Sequence, residues 1–357
     1  EHKKKRVEDA FSHIAHINIE AETLLSDNKT TCYRNKAQYP VSFDRQLKIG
    51  FFAPRSHRVV DCENCILQPP IFADIVKIFR KFIIKNGITV YDSEKHTGLL
   101  RHIYLRLAEA TGEVMVCAVI NGEDLPHKNE LIEKLTEIPS VKSIVLNINR
   151  DRTNVILGKE CVTVGGNDCI YDVLCGVKVR LSPLSFYQVN HDMAQQLYEK
   201  AAEYACLSGK ETVLDMYCGT GTIGLSMAKK AKRIIGAEIV PEAVLDAKRN
   251  ALENGIENAE FICADAGEAA QELSSRGIKP DVVLLDPPRK GCSEMLLAEI
   301  VKMSPERIVY VSCDPSTLAR DCFRLKDLGY ETKRLAAADL FPRTVHVESV
   351  ALLTKQK

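Results

Sequence analysis

From residue 191 onward, short apolar runs alternate with helical stretches, and that rhythm constrains the fold more than any other feature of the chain. The runs ETVLDMYC, RIIGAEIV, AEFICAD, DVVLLDPP and RIVYVSC are interleaved with helical patterns at 191–207, 222–230, 241–254, 266–275, 294–303 and 315–328. A strand at 330–336 and a final ESVALLTK close the series. Buried strands joined through helices pair in parallel with right-handed crossovers, so the spacing predicts a mostly parallel, doubly wound α/β sheet. Upstream the pattern is different. YPVSF, IGFFA, HIYLRLAE, VMVCAVI, SIVLNIN and TNVILG read as strands, with helices at 72–86 and 128–136. That mixture predicts an α+β domain with antiparallel pairing. Residues 1 to about 20 predict a helix that breaks before Ser26-Asp27-Asn28. The expected divisions are 1–29, a helix left from a region further upstream; 30–180, the α+β domain; and 181–357, the α/β domain.

At 357 residues the chain has room for two domains of about 150 residues each. Lysine plus arginine equal aspartate plus glutamate at 48 each, so the total charge marks no polyanion partner, although a local cluster suffices for one. Thirteen cysteines and the lack of any run near the roughly 20 apolar residues of a membrane span lead us to expect a reduced, cytoplasmic protein with no membrane partner. Cys117, Cys206 and Cys263 lie in apolar runs and are expected to pack as small hydrophobes. A helix already under way at Glu1 leads us to expect a trimmed piece of a longer protein.

The stretch VLDMYCGTGTIGLSMA (213–228) ends a strand and opens a helix through Gly219, Gly221 and Gly224. Such a loop could cradle pyrophosphate at the helix N-terminus. Asp215 at its entrance would repel a phosphate and welcome an ammonium. Glu238 ends the next strand, where a carboxylate can accept both hydroxyls of a ribose, and Asp265 ends the third, suited to an adenine amino group. Asp286-Pro287-Pro288 ends the fourth. Carboxylates at successive strand ends favour S-adenosylmethionine, a cationic nucleoside without phosphates.

Cys313 ends the strand after that, with Asp314 able to cap the following helix and Pro315 at its first position. A thiol beside free helix N–H groups is expected to have a lowered pKa. Acceptors with lone pairs need no nucleophile from the enzyme. The C5 carbon of a uracil does: thiolate addition at C6 makes C5 an enolate carbon able to attack a methyl sulfonium. A base must then remove the C5 proton. Glu348, entering the apolar strand of FPRTVHVESVALL (341–353), is the candidate, with His346 two residues away on the same face as support.

Together, SFYQVN (185–190), LDMYCGTGTIGL (214–225), LLDPPRKG (284–291), VSCDPSTLARD (311–321) and FPRTVHVES (341–349) resemble, in order, the signatures of the RNA uracil-C5 methyltransferases that make 5-methyluridine in 23S rRNA and tRNA. The resemblance covers most of the chain. It implies a Rossmann-like methyltransferase domain using S-adenosylmethionine, with Cys313 as nucleophile and Glu348 as base. It further implies that Gln188, Tyr217, Glu238, Asp265 and Asp286 line the cofactor and base pocket, beside Gly219 and Thr222 of the loop. Thr222 stands where some relatives carry Asn.

TCYRNKAQYPV (31–41) and FFAPRSHRVVDCENCILQ (51–68) resemble the central RNA-binding domain of the ribosomal-RNA branch. In many of those relatives the cysteine matching Cys65 is the fourth ligand of a [4Fe–4S] cluster whose other ligands lie upstream of this chain's first residue. No assembled cluster is therefore expected here, and the family's N-terminal RNA-binding β-barrel is also expected to be missing. The expectation is a monomer that methylates C5 of a uridine in RNA, 23S rRNA before tRNA. Arg34, Lys36, Arg55 and Arg58 are the candidate RNA contacts. Two other functions are compatible with parts of the pattern: an amino-group methyltransferase using Asp286-Pro287-Pro288, and a non-catalytic RNA-binding module.

Overall fold

The computed structural model describes residues 1–356 and divides into two compact units. The first comprises Glu1–Lys29, Leu174–Val179 and Asp192–Lys357, and the second Thr30–Val173 and Arg180–His191. The backbone therefore passes between units four times.

The first unit holds an eight-stranded sheet in the order Leu24–Leu25, Tyr330–Ala338, Glu348–Lys355, Arg307–Ser312, Val282–Leu285, Thr212–Met216, Arg233–Glu238, Ala259–Cys263. The five strands from Arg307–Ser312 to Ala259–Cys263 are parallel, as the alternation predicted. Glu348–Lys355 runs antiparallel to both of its neighbours. One face buries Leu214, Ile235, Val283, Ile308, Leu335 and Ala351 beneath helices Ala266–Ser275, Glu294–Met303 and Pro315–Asp327.

The division expected at 1–29 is not observed. Val7, Phe11 and Ala15, in the α-helix His2–Ala10 and its π-helical continuation Phe11–Ala15, are fully buried in that same core. Lys3 donates to the Phe341 carbonyl at 2.9 Å, and Leu24–Leu25 adds a parallel edge strand to Tyr330–Ala338. An apolar stripe on an otherwise charged helix needs a partner, and the α/β core supplies it.

The second unit carries a seven-stranded sheet in the order Val59–Asp61, Gln46–Phe52, Lys36–Asp44, Leu100–Leu107, Val114–Ile120, Val141–Ile148, Glu160–Gly166. All pairs are antiparallel except Val114–Ile120 with Val141–Ile148, which the helix Lys128–Thr136 connects. Helix Pro70–Asn86 buries Phe72, Ile75, Val76, Phe79, Phe82 and Ile83. TNVILG is not a strand. Side chains take its backbone acceptors instead: Arg101 donates to the Thr153 carbonyl, Asn149 to those of Val155 and Ile156, and Asn147 to that of Gly158. Carbonyls occupied in this way cannot support a ladder, and the strand begins at Glu160.

Candidate active site

Thr212–Met216 lies between Arg233–Glu238 on one side and Val282–Leu285 on the other, so the winding of the first unit's sheet reverses at this strand. Open α/β sheets bind ligands outside the carboxyl ends at such a point. Met216 pairs with Ala237 and with Leu285, which sets Tyr217 between Glu238 and Asp286 one step further on.

The loop after this strand is forced into an unusual path. Tyr217 has φ +65°, a left-handed conformation uncommon for a bulky residue, and Gly219 and Gly221 follow at +55° and +80°. The turn brings the Gly219 N–H to Glu238 Oε2 at 3.1 Å, and the Val240 N–H donates to Oε1 at 2.9 Å. Two backbone donors thus fix the Glu238 carboxylate. Asp215 is 1% exposed, and its Oδ2 accepts from the Gly224 N–H at 3.0 Å. A Cβ at 224 would lie 2.8 Å from that oxygen, which explains the glycine. Oδ1 of Asp215 is buried without a partner. Buried acceptors are nearly always bonded, so this oxygen lacks a donor that a ligand ammonium would provide. Burial pushes Asp215 up to about 7, and the charges of Asp286 and Glu238 add to the shift. Asp265 is exposed and caps helix Ala266–Ser275, with Oδ1 accepting from the Gly267 N–H at 2.8 Å. Thr222 is buried at the first position of helix Thr222–Met227, its hydroxyl 3.1 Å from that of Thr220. An orphaned carboxylate oxygen, a fixed carboxylate at the second strand end and a third beside it fit a nucleoside that carries an ammonium.

Two strands bring the thiol and its expected base together. Ser312 pairs with Ser349 across the antiparallel junction, so one further step in that register sets Cys313 opposite Glu348. Directly opposed residues project from the same face. Asp314 caps helix Pro315–Asp327 through Oδ1, which accepts from the Ser316 N–H at 2.8 Å. The thiol is nevertheless raised, contrary to the lowering expected from the helix N-terminus. Burial is the main cause, Glu348 and Asp286 add like-charge repulsion, and Arg289 opposes them. Glu348, 7% exposed, is pushed up to about 8 by burial and by Asp286, again against Arg289. Burial raises Asp286 to about 7.

Arg289 and Asp321 lie in stretches read from the sequence without a role. The loop from Asp286 to Cys292 is tied down by Asp321, a fully buried carboxylate on helix Pro315–Asp327. Its Oδ2 accepts from the Cys292 N–H at 2.8 Å and the Tyr310 hydroxyl at 2.7 Å, and its Oδ1 accepts from Arg320 Nε at 2.9 Å. Arg320 also donates to the Lys290 carbonyl at 2.8 Å. The available signal was a carboxylate among Leu318, Ala319, Cys322 and Leu325, the buried positions of that helix.

The remaining expected residues are distributed over both units. Gln188 is in the second unit, where its carbonyl accepts from Asn35 Nδ2 at 2.9 Å. His346 is exposed in a loop against the Phe341 ring, because the strand begins only at Glu348; it does not support the base. Cys117 is buried, but Cys206 and Cys263 are exposed, since each lies at or just past the end of its element. Arg34, Lys36, Arg55 and Arg58 all belong to the second unit, the last two exposed in a turn closed by the Ala53 N–H to the Arg58 carbonyl at 2.9 Å. Cys62 and Cys65 are partly exposed, and no group of three His, Cys, Asp or Glu that could hold a metal ion occurs among the described residues. The donors present do not make a cluster site.

Residues 159–356 match the family model described as tRNA (Uracil-5-)-methyltransferase. An uncharacterised RNA methyltransferase of Clostridium tetani is 46% identical over 354 residues, covering 99% of this chain and 77% of the relative. One of Halalkalibacterium halodurans is 46% identical over 356 residues, covering 99% and 78%. Among solved structures, the Pyrococcus abyssi tRNA (uracil-54, C5)-methyltransferase in complex with S-adenosyl-L-homocysteine superposes with a TM-score of 0.83 at 30% identity, covering 99% of this chain and 83% of that one.

Proposed function

The chain belongs to the RNA uracil-C5 methyltransferase family, and we propose that it methylates C5 of a uridine in structured RNA through a transient Cys313–C6 bond, with 23S rRNA as the first target. At the coarser level it is an S-adenosylmethionine-dependent RNA uracil methyltransferase. The observation that carries the covalent reading is the register that sets Cys313 opposite Glu348.

When bound, S-adenosylmethionine supplies an electrophilic methyl group. Asp215 Oδ1 would accept from its ammonium, Glu238 from the ribose hydroxyls and Asp265 from the adenine amine. The target base must leave its stack to reach the pocket, at a cost of a few kcal/mol. The partly exposed Cys313 thiol gives up its proton to solvent and the thiolate bonds to C6. The C5–C6 electron pair shifts toward the C4 carbonyl, giving an enolate whose C5 would take the methyl as the S–CH3 bond breaks and the neutral thioether, S-adenosylhomocysteine, leaves. Glu348, ionised, then removes the C5 proton, the C5=C6 bond re-forms and the thiolate departs. Arg289 favours the ionised forms of both residues. Splitting the substitution in this way replaces one difficult step by easier ones.

RNA carrying 5-fluorouridine tests the mechanism, because fluorine at C5 cannot leave as a proton. The parent protein is expected to form a stable adduct, whereas Cys313→Ala forms none and loses methyl transfer. Methyl transfer by Cys313→Ala would favour the amino-group reaction instead. The 23S rRNA assignment is supported by the likeness of 31–41 and 51–68 to the ribosomal-RNA branch. The Pyrococcus abyssi structure, named for a tRNA uridine, favours tRNA as a second reading. Mapping 5-methyluridine in both RNA pools of cells lacking the protein separates them.

A further inference from the structure

Glu348 sits where the sheet stops supporting it on one side. The ladder between Arg307–Ser312 and Glu348–Lys355 ends at the pair of Ser312 with Ser349, one residue short of the base. On the other side Glu348 pairs with Ala338, so the chain leaves the sheet at Ala338 and returns to it at Glu348 through the loop 339–347. The aim of the carboxylate toward Cys313 therefore depends on how that loop is held. Its own hydrogen bonds shape the tip: the Thr344 N–H and hydroxyl donate to the Phe341 carbonyl at 3.2 and 2.8 Å, and the His346 N–H donates to the Thr344 hydroxyl at 3.2 Å.

Helix His2–Ala10 reaches both flanks of the tip. Lys3 forms an ion pair with Asp339 and donates to the Phe341 carbonyl at 2.9 Å, while Arg6 donates to the Val345 carbonyl. Residues three apart are neighbours on a helix surface, so the two cations work from one face. Lys4, by contrast, pairs within the helix with Glu8 at 3.7 Å. Lys3 and Arg6 instead span 336 and 339 residues of chain to this one loop. The side chains of Lys3 and Asp339 are 12% and 20% exposed, which shields the pair from the screening that weakens open surface pairs. Val7 and Phe11, fully buried in the core, anchor the helix without help from these contacts. An anchored helix thus presents two cations to the loop that ends at the base.

We propose that Lys3 and Arg6 are positioning residues for removal of the C5 proton, acting by clamping loop 339–347 so that Glu348 stays opposite Cys313. The proposal rests on the assignment of Glu348 as base. Neither cation takes a proton: the C5 proton passes to Glu348, the C5=C6 bond re-forms and the sulfur leaves as thiolate. Thiolate addition and methyl transfer precede this step and do not use the loop.

The experiment follows turnover of the full chain with S-adenosylmethionine and a uridine-containing RNA hairpin, together with the lifetime of the covalent protein–RNA complex. Lys3→Met keeps the apolar stem and removes the charge. It is expected to lower kcat about tenfold and to hold kcat/KM for RNA, because only a step after methyl transfer is slowed. The complex with ordinary RNA should accumulate while it waits to lose its proton. RNA carrying 5-fluorouridine, whose adduct forms without proton removal, should react at the rate of the parent protein. Lys3→Arg is expected to restore kcat, and Lys4→Met to leave it unchanged. Asp339→Asn breaks the same pair from the loop side and should reproduce the split, so poor folding of one variant leaves the other as the test. A kcat within about twofold of the parent in both variants would overturn the proposal. So would equal losses in kcat and kcat/KM with a melting temperature lowered by more than about 4 °C, since the pair would then only support the fold. If the parent itself forms no adduct with 5-fluorouridine RNA, the covalent mechanism fails and the clamp with it; an adduct-forming parent with normal turnover in both variants overturns the clamp alone.

Discussion

Glu348 concentrates the cost of the site in one side chain. An unfolded glutamate ionises near 4.5, whereas in the fold this carboxyl holds its proton to about 8. Between those values the folded state binds more protons than the unfolded one, so stability falls as pH rises through that window. The penalty is complete above about 8 and absent below about 4. Glu348→Gln keeps the shape without the charge. It is expected to raise stability at pH 8 by something on the order of 2 kcal/mol and to change it little at pH 4, while abolishing methyl transfer. Thermal unfolding of the two proteins across that range checks it; equal gains at both pH values would place the benefit in packing instead. The same reasoning applies to Asp215, whose buried oxygen is unpaired until a ligand arrives. Residues of this kind were legible because a charge in an apolar run is conspicuous. The raised thiol was not, since it depends on carboxylates that only the folded register brings near.

The loop between strand Val282–Leu285 and helix Glu294–Met303 shows how an element is held in place. Gly291 has φ +75°, and a Cβ there would sit 2.4 Å from Arg320 Nη2 and 2.5 Å from Asp321 Oδ2. Neither the conformation nor the space admits a side chain, so Gly291→Ala must lift the loop that carries Asp286 and Arg289. The expected result is a loss of about 1–3 kcal/mol in stability and at least about tenfold in the rate of methyl transfer. Affinity for S-adenosylmethionine should fall less, since Asp215 and Glu238 sit on other elements. Rate and cofactor affinity measured on one preparation separate the two effects. At this scale the sequence was informative where periodicity was strong: the parallel strands, the glycine loop and the closing ESVALLTK all lie where they were expected. It misled at TNVILG, where side chains from Arg101, Asn147 and Asn149 take the carbonyls a strand would need. Pairing partners were less legible than strands, because nothing local says that Glu348–Lys355 inserts antiparallel between two neighbours.

Across the whole molecule, the linear order of the chain and its division into units disagree. Residues 1–29 were expected to stand apart and instead belong to the α/β unit, while 180–191 belong to the other. Contacts spanning more than three hundred residues leave no periodic trace, which is why the boundaries were misjudged. Phe11 is a direct probe: it is fully buried in the α/β core, and Phe11→Ala is expected to cost about 3–5 kcal/mol. Chemical denaturation with a fluorescent label on that unit reads the loss; a change within about 0.5 kcal/mol would mean the opening helix is dispensable. The burial of Val7 and Phe11 among residues as late as Leu353 has a consequence for biosynthesis. The helix His2–Ala10 leaves the ribosome some three hundred residues ahead of those partners and must wait for them. Its apolar stripe is thus a surface exposed to chaperones and aggregation throughout that interval, and completion of the core awaits strand Glu348–Lys355.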